Sequence, residues 1–182
     1  MTGLLSRYRS LSASLDRADW LLPTLARFLF AAILLLYFWV SGLTKIGDGF
    51  AGLFSPSAGA YVQIFPRLME AASYDTSQFA WWQTLVVLAG TWAEFILPAL
   101  IVAGLFTRLA ALGMIGFVIV QSLTDLYGHG GWTDPAVTGA WFDRLPDGVI
   151  LDQRALWIFL LLVLVFKGAG PLSLDRAVAR GL

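Results

Sequence analysis

An all-α membrane protein, a four-transmembrane-helix antiparallel bundle with short interfacial helices in its outward loops, is the fold class this sequence predicts. Three observations predict it. Hydrophobic residues make up 58% of the 182 and charged residues only 13%, about half the usual charged share of a soluble domain. A soluble fold of this length could not hide so much apolar surface. Four apolar runs each approach the ~20 residues that a spanning helix needs. Tryptophan is abundant, at 8 residues, and several flank those runs as interfacial belts do. Only helices or closed barrels satisfy the backbone in lipid, and runs of this length mean helices.

The elements follow in order. Leu4, Tyr8, Leu11 and Leu15 share a helical stripe with Arg7, Arg9 and Arg17 off it, which predicts an amphipathic helix at the membrane interface or docked on the bundle. The long basic region and the lack of a small-residue cleavage site argue against a cleaved signal peptide. The first span runs from about Trp20 to Leu43 and the second from Phe79 to Gly104. Between them, Tyr61, Ile64, Phe65, Leu68, Met69 and Ala72 have helical spacing interrupted by Pro66, so one or two short helices are expected on the membrane surface. Gly104-Leu-Phe-Thr107 is a tight turn, with Gly104 ending one helix and Thr107 placed to cap the next. The third span runs from Thr107 to Tyr127. In the loop after it, Asp134-Pro135 reads as an N-cap with proline at N1, and Pro146-Asp-Gly148 as a turn. The fourth span, Ile150 to Phe166, is the shortest, and Arg154 and Lys167 are expected to snorkel to opposite interfaces.

Arginine and lysine crowd the termini and the short turn, while the two long loops and their edges hold only Lys45, Arg67, Arg144 and Arg154. The positive-inside rule then puts both termini in the cytoplasm. The chain divides into a cytoplasmic N-terminal amphipathic segment (1–19), a four-helix transmembrane unit (20–168) and a cytoplasmic tail (169–182).

Composition also narrows the chemistry. There is no cysteine, which excludes disulfides, thiolate metal sites and a dithiol relay within this chain. One histidine and three methionines leave little for copper or haem, so neither haem nor an iron–sulfur cluster is expected. A net charge of zero gives no sign of a nucleic-acid partner; the partner that composition does imply is the lipid bilayer. His129 lies among glycines and could meet a metal only with Asp134 or Asp143; a lone loop histidine is more often solvated, and no metal site is assigned.

The informative residue is Glu94, a carboxylate inside the second span. Intramembrane charges are rare, and each is a functional hypothesis by default. With both helices starting in one plane, Arg27 and Glu94 differ in depth by only ~5 Å, so they are expected to pair, with Arg108 reaching the same site. Gly90, Ala93, Glu94 and Leu97 form a face whose small residues suit close helix packing. On the first span, Arg27, Ala31, Leu34, Phe38, Ser41 and Lys45 form one stripe, so both cations face the same way. Lys45, Gln121, Ser122 and Asp125 form a second polar cluster near the outward end, with Lys45–Asp125 its expected pair. Either cluster could fix helix register or serve a ligand or proton, and both readings stand.

These residues resemble a family. Arg27 with Val40-Ser-Gly-Leu-Thr-Lys-Ile46 is similar to the opening of DoxX-type membrane proteins. Ala93-Glu94 followed by Gly104-Leu-Phe-Thr-Arg-Leu-Ala-Ala111 resembles the family's glutamate and its Gly-x-x-Thr-Arg turn. Gly168-Ala-Gly-Pro-Leu-Ser-Leu-Asp-Arg176 is similar to its usual ending. The resemblance covers roughly residues 20–178 and departs mainly in the long loops. It implies a four-helix protein of the bacterial inner membrane. Members are named after a thiosulfate:quinone oxidoreductase subunit, and others accompany redox or metal-handling systems. Two functions are implied: an accessory, anchor or assembly component with a protein partner in such a system, or a quinone-binding subunit of a membrane oxidoreductase.

The topology is directly testable. Without native cysteine, single substitutions Ser6→Cys, Ala58→Cys, Thr138→Cys and Ala179→Cys can be read cleanly. An impermeant maleimide applied to intact cells is expected to label positions 58 and 138 and spare 6 and 179; the reverse pattern would overturn the orientation.

Overall fold

The computed structural model describes residues 2–181. Four helices in it are long and apolar enough to cross a membrane: α2 (Leu21–Leu43), α5 (Trp81–Ala103), α6 (Thr107–Gly128) and α8 (Val149–Lys167). Around them lie α1 (Thr2–Asp16), α3 (Ala58–Ile64), α4 (Pro66–Ala71), α7 (Pro135–Thr138) and α9 (Leu174–Gly181). Among the described residues there is no sheet; a lone bridge joins Ile46 to Pro56. The chain is a multi-pass, all-α membrane protein.

One side of each span makes the core. Phe30, Leu34 and Phe38 of α2 meet Ile101 of α5, Met114 and Val118 of α6, and Leu161 and Leu164 of α8. Ala110 and Ala111 let α6 approach closely there, as small residues do between helices in lipid. Phe38 sets its ring edge-on to Phe117 and Trp157 at 5.9 and 6.1 Å. Large apolar side chains also face outward, Phe28, Leu36, Phe159 and Phe166 among them. In water such a surface would aggregate; in a bilayer it is the solvated face.

Three of the four spans contain a π-helical turn: Ala31–Leu35, Thr124–Gly128 and Val149–Arg154. Such bulges insert an extra residue, shift the register of side chains and recur at functional sites. The last two carry Asp125 and Arg154, which pair at 2.6 Å. Arg154 is buried, and its Nη1 also donates to Ser122 Oγ at 3.1 Å. It does not snorkel outward, because a carboxylate one helix away offers a closer partner than the interface. This contact also replaces the expected Lys45–Asp125 pair.

The two long loops differ from plain surface helices. Ser57 caps α3, accepting from Ala60 N at 3.3 Å, and Pro66 opens α4. Ala60, Tyr61 and Met69 are buried against Val87 of α5, so the two helices pack on the bundle end. Asp134 caps α7 through Ala136 N at 2.9 Å. In α1, by contrast, Leu4, Tyr8, Leu11 and Leu15 are all exposed. Its stripe does not dock on the bundle, which favours the bilayer interface as its place.

The turn between α5 and α6 is built by the tail. Gly104 ends α5 at φ 70°, and a Cβ there would lie 2.8 Å from the Arg27 guanidinium carbon and 2.6 Å from Ser173. Only glycine fits both the backbone and the space. Thr107 does not cap α6: no side chain of the turn does so. Asp175 supplies the missing acceptors instead, taking Phe106 N at 2.7 Å and Thr107 N at 3.0 Å. Its negative charge suits the positive end of α6.

Partial burial pushes the Asp175 carboxyl up, but hydrogen bonds from Thr107 and Phe106 and the charge of Arg27 outweigh this and hold it below the usual carboxylate range. A depressed value stabilises the fold above the ordinary aspartate pKa and loses that contribution as pH falls through the lowered one. Asp175→Asn turns one of its two accepting oxygens into an amide facing an N–H, and should therefore cost about 1 kcal/mol near pH 7. Melting curves in detergent should converge with those of the wild type as pH falls from about 5 to 2; a gap that stays constant would show that the cap charge does not matter.

Candidate functional site

Glu94 lies midway along α5 and is 2% exposed. Its partner is Lys45, just past the end of α2 and 5% exposed. Lys45 Nζ donates to both Glu94 oxygens at 2.9 Å. Ser41, one helical turn before Lys45, donates its hydroxyl to Glu94 Oε1 at 3.0 Å and accepts from Lys45 Nζ at 2.7 Å. The ammonium also reaches the Ser41 carbonyl at 3.3 Å. Each charge is thus met by the other and by one shared hydroxyl. A buried pair is tolerable only with such complete satisfaction.

Arg27 is elsewhere. Its Nε donates to Ile101 O at 3.0 Å and its Nη2 to Val102 O. Its Nη1 donates to Ala169 O at 2.9 Å and to Leu172 O. The carbonyls at the C-terminal end of a helix have no partner within it, and a cation there also suits the helix dipole. Arg27 fills both needs for α5 and ties the tail to it. Arg108, on the same end of the bundle, donates to Val165 O at 3.0 Å. Neither arginine reaches Glu94, so the expected Arg27–Glu94–Arg108 grouping does not form.

The reason is register. The contacts at Arg27 and Ser41 are 14 residues apart on α2, while their partners Ile101 and Glu94 are 7 apart on α5 (41 − 27; 101 − 94). The two helices pack along their length, and the long Arg27 side chain spans the difference in height. The stripe reading of α2 holds: Arg27, Ser41 and Lys45 all turn to α5, but they meet it at different heights.

The Gly90–Leu97 face of α5 does not pack tightly. Gly90, Ala93, Glu94 and Leu97 instead border a cavity of about 470 Å³ between α5 and α6, with Gly113 and Gly116 on the far side. Side chains too small to fill the gap leave it open; at Gly116 a Cβ would meet nothing within 4 Å. Ile64, Val86, Phe117 and Val120 give apolar walls, and Lys45, Glu94, Gln121 and Asp125 give a polar end. The cavity thus draws residues from both sequence-predicted clusters. Ser122 is turned away to Arg154, and its hydroxyl donates to Val118 O at 2.7 Å.

Gln121 is half-held. Its Nε2 donates to the Tyr37 hydroxyl at 3.2 Å, while its Oε1 is shielded from water without a donor. An unmet buried acceptor is costly, and this one belongs to a residue of the cavity wall. Two further wall residues come from the long loops, Gln63 and His129. His129 Nε2 lies 3.2 Å from Gln63 O. Among the described residues no three His, Cys, Asp or Glu side chains come together to hold a metal ion.

Sequence reasoning missed Ser41 as a member of the charged site, Gln63 as a wall residue and Asp175 as the cap. The Ser41–Lys45 spacing of one helical turn was the available signal for the first. Nothing local marks the other two, because their partners lie far along the chain.

The arrangement of the first three spans can be compared with known proteins. Residues 22–124 match the DoxX family model, more than half of the chain. The protein belongs to the DoxX family. The match takes in Arg27, Lys45, Glu94, Arg108, Gln121 and Ser122, and it ends one residue before Asp125. The Gly168–Arg176 tail motif lies beyond it. No curated protein and no solved structure matches the chain.

In this DoxX protein the coupled partners are Lys45 and Glu94. Lys45→Met or Glu94→Gln alone should cost roughly 3–5 kcal/mol, since each leaves a buried group unpaired. The double variant should cost clearly less than the sum. A double-mutant cycle read by detergent thermal stability checks this, with Arg27→Met plus Glu94→Gln expected to be additive. The opposite outcome would restore the Arg27–Glu94 pair.

Proposed function

We propose that this protein is an accessory inner-membrane component of a redox system, and that it holds a lipid-soluble ligand of the quinone class in the cavity beside Lys45 and Glu94. The observation that carries this is the cavity itself: about 470 Å³, apolar along its walls and polar at one end. Small-molecule sites have this size and this lining, a mostly apolar slot with few polar groups that fix orientation.

The residues present fit such a group. A ring and the start of its apolar tail match the Ile64, Val86 and Phe117 walls, and its oxygen would lie near Lys45, Gln121 or His129. Bound there, a quinone supplies electron and proton transfer that the chain lacks. The chain's own part is to hold the head, to exclude water with the α3–α4 loop, and to keep a charged pair at fixed distance. A cytoplasmic orientation of both termini places this end of the bundle outward, following the arginine and lysine bias.

A second reading is that of a structural anchor or assembly component, for a redox or metal-handling partner. The complete pairing of Glu94 by Lys45 and Ser41 favours it, because no part of that site requires a ligand.

Gly116→Leu separates the two readings. It fills the cavity without touching the ion pair, so gentle purification followed by lipid extraction and mass spectrometry should show roughly tenfold less quinone than the wild type, at nearly unchanged melting temperature. Equal quinone in both proteins, or none in the wild type, would remove the ligand reading and leave the anchor.

A further inference from the structure

We propose that the opposite end of the bundle, where both termini lie, carries a built site for the phosphodiester head of an anionic phospholipid. This is independent of the ligand cavity. A groove of about 910 Å³ opens there between the α1–α2 joint, the start of α6 and the tail. Arg17, Arg108, Lys167 and Arg176 line it, against Asp19 and Asp175.

Both acids are already committed. Asp19 accepts from Lys167 Nζ at 3.2 Å. Asp175 gives its two oxygens to the backbone N–H groups of Phe106 and Thr107. Among the described residues, Arg17, Arg108 and Arg176 make no ion pair. Four cations against two carboxylates leave the groove net positive, which suits an anion. Arg108 is pinned by its Nη1 bond to Val165 O, and the lack of a side chain at Gly168 spares its other edge: a Cβ there would be in contact, 3.5 Å from Nε and 3.6 Å from Nη2. That edge is a two-donor fork of the kind that takes phosphate oxygens.

Depth selects a lipid over a free ion. Trp20 immediately precedes α2, Arg108 is the second residue of α6 and Lys167 is the last of α8. Three span ends meeting at one height mark the headgroup layer. The groove wall then continues into Leu109, 69% exposed, and Trp20, 54% exposed, which give acyl chains an apolar path. Basic pockets between spans at this level suit anionic headgroups.

The full-length protein in neutral detergent tests the site. Phosphatidylglycerol should raise the melting temperature and survive as a bound adduct in native mass spectrometry. Phosphatidylcholine and inorganic phosphate should do neither. Arg17→Gln with Arg176→Gln, both exposed positions, should weaken phosphatidylglycerol binding roughly tenfold or more while the lipid-free protein melts as before. Arg67→Gln with Arg144→Gln, at the other end, should leave binding unchanged. The wild-type effect should shrink with added salt, since exposed charge pairs are screened. Equal stabilisation by phosphatidylcholine, an equal effect of inorganic phosphate, salt-independent binding, or wild-type affinity in the Arg17/Arg176 variant would each overturn the proposal.

Discussion

A carboxylate placed in the hydrocarbon layer must find its counter-charge within the protein, and the position of Glu94 imposes that requirement on everything around it. Lys45 meets it from just beyond the end of α2, with Ser41 shared between the two. The contact joins the C-terminal end of α2 to the middle of α5. At the other end, Arg27 holds the terminal carbonyls of α5 and the tail. Between these two fixed points, Phe30, Leu34 and Phe38 pack as the core. On the other side of α5, small residues leave the cavity.

The polarity of the bundle is divided by height. The end with both termini is held by Arg27 on backbone carbonyls, the capping Asp175 and an exposed Lys167–Asp19 pair. The other end is held by two ion pairs, Lys45–Glu94 and Asp125–Arg154. The second pair is formed by residues of two π-helical turns, and Asp125 also borders the cavity. The irregular backbone and the candidate site therefore coincide, as such bulges commonly do. The uncharged polar side chains Gln63 and Gln121 border the cavity, while its charged floor is internally neutral. That division suits a ligand that is itself uncharged.

The spans were legible because apolar run length is a direct consequence of bilayer thickness, and the Gly104 turn and the Asp134–Pro135 cap because each depends on local backbone chemistry. Partner choice was not legible to the same degree. Assigning equal depth to Arg27 and Glu94 assumed helices that begin in one plane and run parallel. Arg27 instead meets the last turn of α5, seven residues from Glu94 (101 − 94). Arg154 misled for a related reason: a cation near a helix end snorkels only when no carboxylate is nearer, and Asp125 lies on a different helix. Of the site, the residue types were readable as two clusters. Their regrouping around one cavity depended on Gly90, Gly113 and Gly116, whose meaning is the absence of a side chain and which no spacing rule distinguishes from ordinary helix packing.

The pairing of Glu94 with Lys45 is the claim on which the joining of α2 to α5 and the cavity floor both rest. Solid-state NMR on the protein in lipid bilayers, with ¹⁵N-labelled lysine and ¹³C-labelled glutamate, measures it directly. A Lys45 Nζ to Glu94 Cδ distance below about 4 Å is predicted, as a charge-assisted pair requires, and it should vanish from the spectrum in Lys45→Met. Dipolar coupling of Glu94 to the Arg27 guanidinium instead, in a matching arginine-labelled sample, would contradict the account.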